Sequence, residues 1–256
     1  METYRAPWGI SEMHIGVVCE GPTDYPAIIC FFGEALKARD INATFNALFP
    51  EMDRTRPEAG WANVLLWLKN NPPAKRIQQY FGGGLFGGNL SGEQYDAIII
   101  HLDTDIIEHE SFINFARESY NYNISTGGDC EARAAEISAV IQIAADFNSM
   151  TQRDQSRHVP TPAVESTENW CVAAFHGQPE NFELIRGNEL TNRFMAALEM
   201  SESRSPQDQY TNVDKDNNRR KRFCERHAGG ASRVISGCKQ FASALDKLAA
   251  IQPTPS

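Results

Sequence analysis

Hydrophobic and polar positions change their period several times along the chain. His14–Cys19 (HIGVVC) is a β-branched apolar run, which predicts a short buried strand. After Glu20-Gly21-Pro22-Thr23-Asp24, apolar residues recur at helical spacing from Tyr25 to Lys37, with Thr23 as the expected N-cap. Ile41–Phe49 alternates loosely and predicts a second strand. Trp61, Val64, Leu65 and Leu68 share a helical face, and Asn71-Pro72-Pro73 ends that helix. Tyr95–Leu102 (YDAIIIHL) is the clearest strand, and its near-continuous apolar character predicts burial on both faces, as in a parallel sheet.

Further along, Cys130–Phe147 reads as a long helix with Ile137, Val140, Ile141 and Ala144 on one side. Pro160–Val164 is a short strand candidate, and Thr167–Phe175 a helix capped by Thr167. Leu190–Met200 is another helix, and Ala231–Ile251 reads as one last amphipathic helix before the tail Gln252–Ser256. Strands alternating with helices predict an α/β fold: a mainly parallel sheet flanked by helices, with C-terminal helical additions. The 256 residues suit one domain, with a core over about 13–175 and a helical extension over 176–256. Two stretches interrupt the pattern. Phe81–Gly92 is glycine-rich and reads as a flap or loop; Ser201–Asn218 has almost no apolar residues and reads as a mobile linker.

Composition narrows the class. With 41% hydrophobic and 22% charged residues, collagen-like, disulfide-scaffold and disordered classes are excluded. Lys+Arg is 24 against Asp+Glu 33, and the net charge of -9 argues against a generic polyanion binder. A local basic patch or a metal ion remains as the route to a nucleic acid. The longest apolar runs, Ala27–Phe32 and Ala97–Ile100, are far too short to span a bilayer. METYRAPWGISEM has no signal-peptide pattern, and the six cysteines form no CxxC pair. The expected setting is cytoplasmic, with reduced thiols and no membrane.

Candidate chemistry lies at strand ends. Glu20 follows the first strand, Asp103-Thr104-Asp105 closes the clearest one, and Glu168 follows a weaker one. In an open parallel sheet, ligands bind beyond the carboxyl ends of the strands, so these acids are expected to gather with Asp24. If the chain stays extended, Asp103 and Asp105 point to one side. Such oxygen ligands suit Mg²⁺ or Mn²⁺. Gly21 would let the backbone bend tightly. Each motif alone has a plainer reading, as a turn or a helix cap; together, at strand ends, they favour a metal site.

Other signals are weaker. The glycine-rich segment lacks the Lys-Ser/Thr of a phosphate-binding loop. The six histidines show no zinc spacing, and His101, beside the DxD strand end, could touch the site, although it reads first as a half-buried strand histidine. No GxSxG elbow is present. Arg219, Arg220, Lys221 and Arg222 form the densest basic run, read as a phosphate-contacting arm against the plainer reading of a solvated helix start.

The strand followed by EGPTD, and the later strand ending in DTD, resemble a Toprim domain, the catalytic fold of topoisomerases, primases and OLD-type nucleases. Pro162–Trp170 (PAVESTENW) is similar to a segment of Toprim-like proteins found in bacterial anti-phage defence loci. The resemblance spans roughly Met13 to Phe175. It implies that Glu20 binds metal and serves in acid–base chemistry, that Asp24 is the second acid, that Asp103 and Asp105 bind metal, and that Glu168 is the third catalytic acid. It implies a Mg²⁺- or Mn²⁺-dependent nuclease acting on DNA or RNA, with a defence-system protein or a second copy of the chain as further partners. About 80 residues separate Glu20 from Asp103, more than a minimal core of this kind needs. The other readings are a non-catalytic partner-binding or sensor subunit and an enzyme acting on a small phosphoester.

Overall fold

The computed structural model describes residues 11–51, 59–82, 94–177, 180–202 and 217–253. Most of Phe81–Gly92, most of Ser201–Asn218 and the end of the tail lie outside the described residues, so the flap and linker readings do too.

Four strands, β1 (Ser11–Val18), β2 (Ile41–Phe49), β3 (Ala97–Asp103) and β4 (His158–Ala163), form one sheet in the order β2-β1-β3-β4. All neighbours are parallel, with Ile15 opposite Phe45 and Ala97, and Ile100 opposite Pro160. Eleven α-helices accompany them among the described residues. α1 (Asp24–Lys37), α2 (Trp61–Asn70), α3 (Pro73–Arg76), α4 (Glu110–Tyr120), α5 (Cys130–Ala144) and α6 (Gln152–Ser156) are followed by α7 (Glu168–Phe175), α8 (Gly187–Glu202), α9 (Asn217–His227), α10 (Ala231–Gly237) and α11 (Lys239–Ala249). None of the described helices is long and apolar enough to cross a membrane.

The period of two explains the two layers of core. Met13, Ile15, Val17, Ala97, Ile99 and Val159 face α1 and the helices from α7 onward. Val18, Ile98, Ile100 and Leu102 face α2, α4 and α5. The continuous apolar run of β3 is therefore buried on both sides. The C-terminal helices complete the first layer: the Phe241 ring stacks on Phe32 at 4.1 Å and meets Trp170 edge-on at 5.2 Å. Truncating Phe241 to Ala would cost about 3–5 kcal/mol, as buried phenylalanines generally do.

Two element expectations change. The last helix is two helices, because Cys238 takes φ -132° and ψ 95° and breaks the ladder between α10 and α11. Packing explains the break: a Cβ on Gly237 would stand 2.5 Å from the Phe182 ring and 2.8 Å from the Glu180 carbonyl. Glu183 then caps α11, its Oε1 accepting from the Gln240 N–H at 2.7 Å. Helix α4 was not expected, yet it buries Phe112 and Ala116, one turn apart, and ends on Asn121 in the left-handed conformation. All six cysteines are free.

Candidate metal centre

β1 and β3 are neighbours, but the chain leaves them in opposite directions, towards β2 on one side and β4 on the other. Their carboxyl ends therefore form the switch point at which open α/β sheets place ligands. A cleft of about 510 Å³ opens there, with Glu20, Asp24, Asp103, Asp105 and Glu168 in its wall. No lysine or arginine lines it among the described residues.

Backbone hydrogen bonds fix the acids. Beyond β1, the Cys19 N–H donates to the Phe49 carbonyl at 3.0 Å and Gly60 N–H donates to the Glu20 carbonyl at 2.7 Å. The Glu20 carboxylate then reaches across to β3, its Oε1 accepting from the Asp103 N–H at 2.7 Å. Asp24 opens α1; its Oδ2 accepts from Gly21 N–H and its Oδ1 from the Thr167 hydroxyl, both at 2.9 Å. Gly21 is not among the residues of positive φ, so it supplies an unobstructed N–H rather than a special bend. Neither Thr23 nor Thr167 caps a helix with its side chain. The Thr167 hydroxyl serves Asp24 instead.

The period-two expectation for Asp103 and Asp105 fails. Thr104 adopts φ -90° and ψ -6°, and the chain turns into a 3-10 turn over Asp105–Glu108. Asp105 reaches the cleft from this turn, exposed at its rim. The residue that shares a strand face with Asp103 is His101, two positions earlier. His101 is fully buried rather than half-buried. Ligand atoms of Asp24, His101 and Asp103 lie within 4.8 Å of one another, a group that can hold a metal ion.

The histidine's tautomer follows from its partner. His101 Nδ1 lies 2.9 Å from the Thr161 carbonyl, which only accepts, so Nδ1 carries the proton. Nε2 lies 3.2 Å from Asp103 Oδ1, an ion-pair distance when the ring carries a second proton. Both atoms are buried and neither makes a hydrogen bond. With both groups deprotonated the facing lone pairs repel, and a shared proton or a bound cation removes the conflict.

Electrostatics separate the acids. Burial, then the charges of Asp103 and Asp24, raise the Glu20 carboxyl well above the usual range. Burial, followed by Asp24, Glu168 and Asp105, does the same to Asp103. Burial raises Asp24 and Asp105 as well. Glu168 goes the other way: burial opposes ionisation, but the Arg220 guanidinium and hydrogen bonds hold its carboxyl below the usual range.

The basic run is divided by helical geometry. Arg219 and Arg220 face inward from α9, while Lys221 and Arg222 are exposed. Arg219 donates to both carboxylate oxygens of Glu202, at 2.9 and 2.6 Å. Arg220 pairs with Glu168, contacts the Thr167 hydroxyl at 3.4 Å, and lies 4.4 Å over the Phe194 ring. A four-residue arm is therefore corrected to two exposed cations; the other two are packed because Glu168 and Glu202 neutralise them. No protein-family model, curated protein or solved structure matches the chain.

Proposed function

We propose that the chain is a divalent-cation-dependent hydrolase of phosphodiester bonds in DNA or RNA, the activity that the Toprim-like motifs imply. The observation that supports it most is the cleft wall, with five acidic side chains of which Glu168 is neutralised by Arg220 from behind. Such a surface repels a phosphodiester unless cations intervene. Asp24, His101 and Asp103 would hold the cation, and the buried lone pairs of His101 and Asp103 fit that role. When bound, it would polarise a phosphoryl oxygen and acidify a water.

The protein's own residues do the rest. Glu20 is oriented by the Asp103 N–H and keeps its other carboxylate oxygen for the proton of an attacking water. Thr167 orients Asp24. The Glu168–Arg220 pair adds no net charge beside the reacting centre. Arg222 and Lys221, the latter in an exposed pair with Glu225 at 3.9 Å, would contact phosphates.

The test is incubation of the purified protein with plasmid, single-stranded DNA, tRNA and total RNA, in Mg²⁺, Mn²⁺ or EDTA. Cleavage of at least one polynucleotide is expected with a cation and is expected to vanish in EDTA and in Asp103→Asn. Hydrolysis of bis(p-nitrophenyl) phosphate alone would move the substrate to small phosphoesters. If nothing is cleaved, the reading gives way to a partner-binding subunit.

A further inference from the structure

A second hollow lies at the opposite, amino-terminal edge of the sheet. At about 680 Å³ it is larger than the acid cleft. Its wall is built from α5, α6, the start of β4 and the end of α11. β4 separates it from the acid edge by its own length, roughly 20 Å at the usual rise per residue.

Its charge is the reverse of the cleft's. Arg153, Arg157 and Lys247 line it, and no aspartate or glutamate does among the described residues. In a chain of net charge -9, three cations without an acid in one concave wall stand out. Arg157 is committed to structure, donating through Nε to the Asp96 carbonyl at 2.9 Å and resting 4.0 Å over the Phe81 ring. Arg153 and Lys247 are not: neither side chain has an ion pair or hydrogen bond among the described residues. The same holds for the amides of Gln142 and Gln152, and Phe147 adds a half-buried aromatic surface. Burial pushes the Arg157 guanidinium down, Asp96 opposes it, Arg153 adds to it and Asp154 opposes it in turn.

The volume is that of a site for a ligand of nucleotide size. Like charges converging on one hollow are relieved by a multiply charged anion, and unengaged amides serve sugar hydroxyls or ring heteroatoms. We propose that this hollow binds a nucleotide-sized organic phosphate, with Arg153 and Lys247 on the phosphates and Gln142 and Gln152 on the polar remainder. The site is separate from the acid cleft and does not depend on a metal.

The probes are ATP and AMP, titrated calorimetrically in EDTA so that no cation in the acid cleft can hold a phosphate. Wild type is expected to bind at least ATP. Arg153→Glu/Lys247→Glu is expected to weaken that binding at least about tenfold, with unchanged thermal stability in the absence of nucleotide because both positions are exposed. Asp103→Asn is expected to bind as wild type does. Absence of binding for both probes would overturn the proposal. So would equal affinity in the charge-reversal variant, or loss in Asp103→Asn. None of these results bears on whether the acid cleft cleaves polynucleotides.

Discussion

The two ends of the sheet bury charge in opposite ways. At the amino-terminal end Arg76 is fully buried, yet its guanidinium is surrounded by acceptors. It donates to His158 Nε2 at 3.1 Å, to the Leu68 carbonyl at 3.3 Å, to the Ala145 carbonyl at 2.5 Å and to the Asn71 carbonyl. Those carbonyls belong to the last turns of α2 and α5, so one cation caps two helices where their dipoles are negative. At the carboxyl end, Asp103 Oδ1 and His101 Nε2 are equally buried, face each other at 3.2 Å and have no other hydrogen-bond partner. A satisfied buried network is architecture; a buried pair with no other partner can take up a proton or a cation.

The largest expected effect breaks the satisfied end. Arg76→Met leaves three carbonyls and the His158 nitrogen without their donor. It should destabilise the protein by about 3–5 kcal/mol in urea unfolding. A loss under about 1 kcal/mol would mean that water replaces the guanidinium and that this end is no scaffold.

The next effect is pH dependence, with opposite signs at the two ends. Burial holds His158 down at about 4, against an ordinary 6.5. Its Nδ1 donates to the Asp154 carbonyl at 2.8 Å and its Nε2 accepts from Arg76, so the neutral ring is the one that fits. The unfolded chain takes up this proton first. Stability is therefore full above the unfolded value and falls as pH drops from 6.5 to about 4, by up to about 3 kcal/mol. Glu20 and Asp103 are shifted up, so the folded state keeps their protons longer, and stability falls as pH rises above the ordinary carboxylate range. Urea unfolding from acid to neutral pH in EDTA separates the two. His158→Gln should flatten the acid-side loss; an unchanged slope would assign that loss to another group.

The smallest effect sharpens the unsatisfied end. Without metal, Asp103→Asn removes a buried charge from a like-charged group and should raise stability at neutral pH. Mn²⁺ at about 100 times its Kd should stabilise wild type by about 2.7 kcal/mol and leave Asp103→Asn unchanged. An imidazole ligand favours Mn²⁺ over Mg²⁺, so Mn²⁺ should act at the lower concentration in thermal unfolding. Equal shifts in wild type and variant would remove the metal from this site.

Much of the site's outline is legible in the chain itself. β1 and β3 follow from β-branched apolar runs, and the acids that succeed them stand at strand ends. His101 is legible as a neighbour of the site but not as a ligand, because it sits inside the apolar run of β3, where a polar residue reads as incidental. The signal was available: an H-x-D spacing on a strand places both side chains on one face. The rule holds back from Asp103 to His101, within the strand, and fails forward to Asp105, where the turn begins. In α9, Phe223 and Cys224 recur one turn after Arg219 and Arg220, which marks those arginines as inward-facing.

By itself the sequence determined the alternation of strands and helices, the burial of β3 on both faces and the placing of acids at strand ends, because each is a local pattern of period two or 3.6. The tertiary structure decided which acids meet. Asp24 and Asp103 converge through the β1–β3 pairing; Glu168 meets Arg220, 52 residues on, only because α7 and α9 pack together. The amino-terminal hollow exists because α11 returns to β4. Such pairings depend on how elements dock over long separations, and no local period in the chain encodes them.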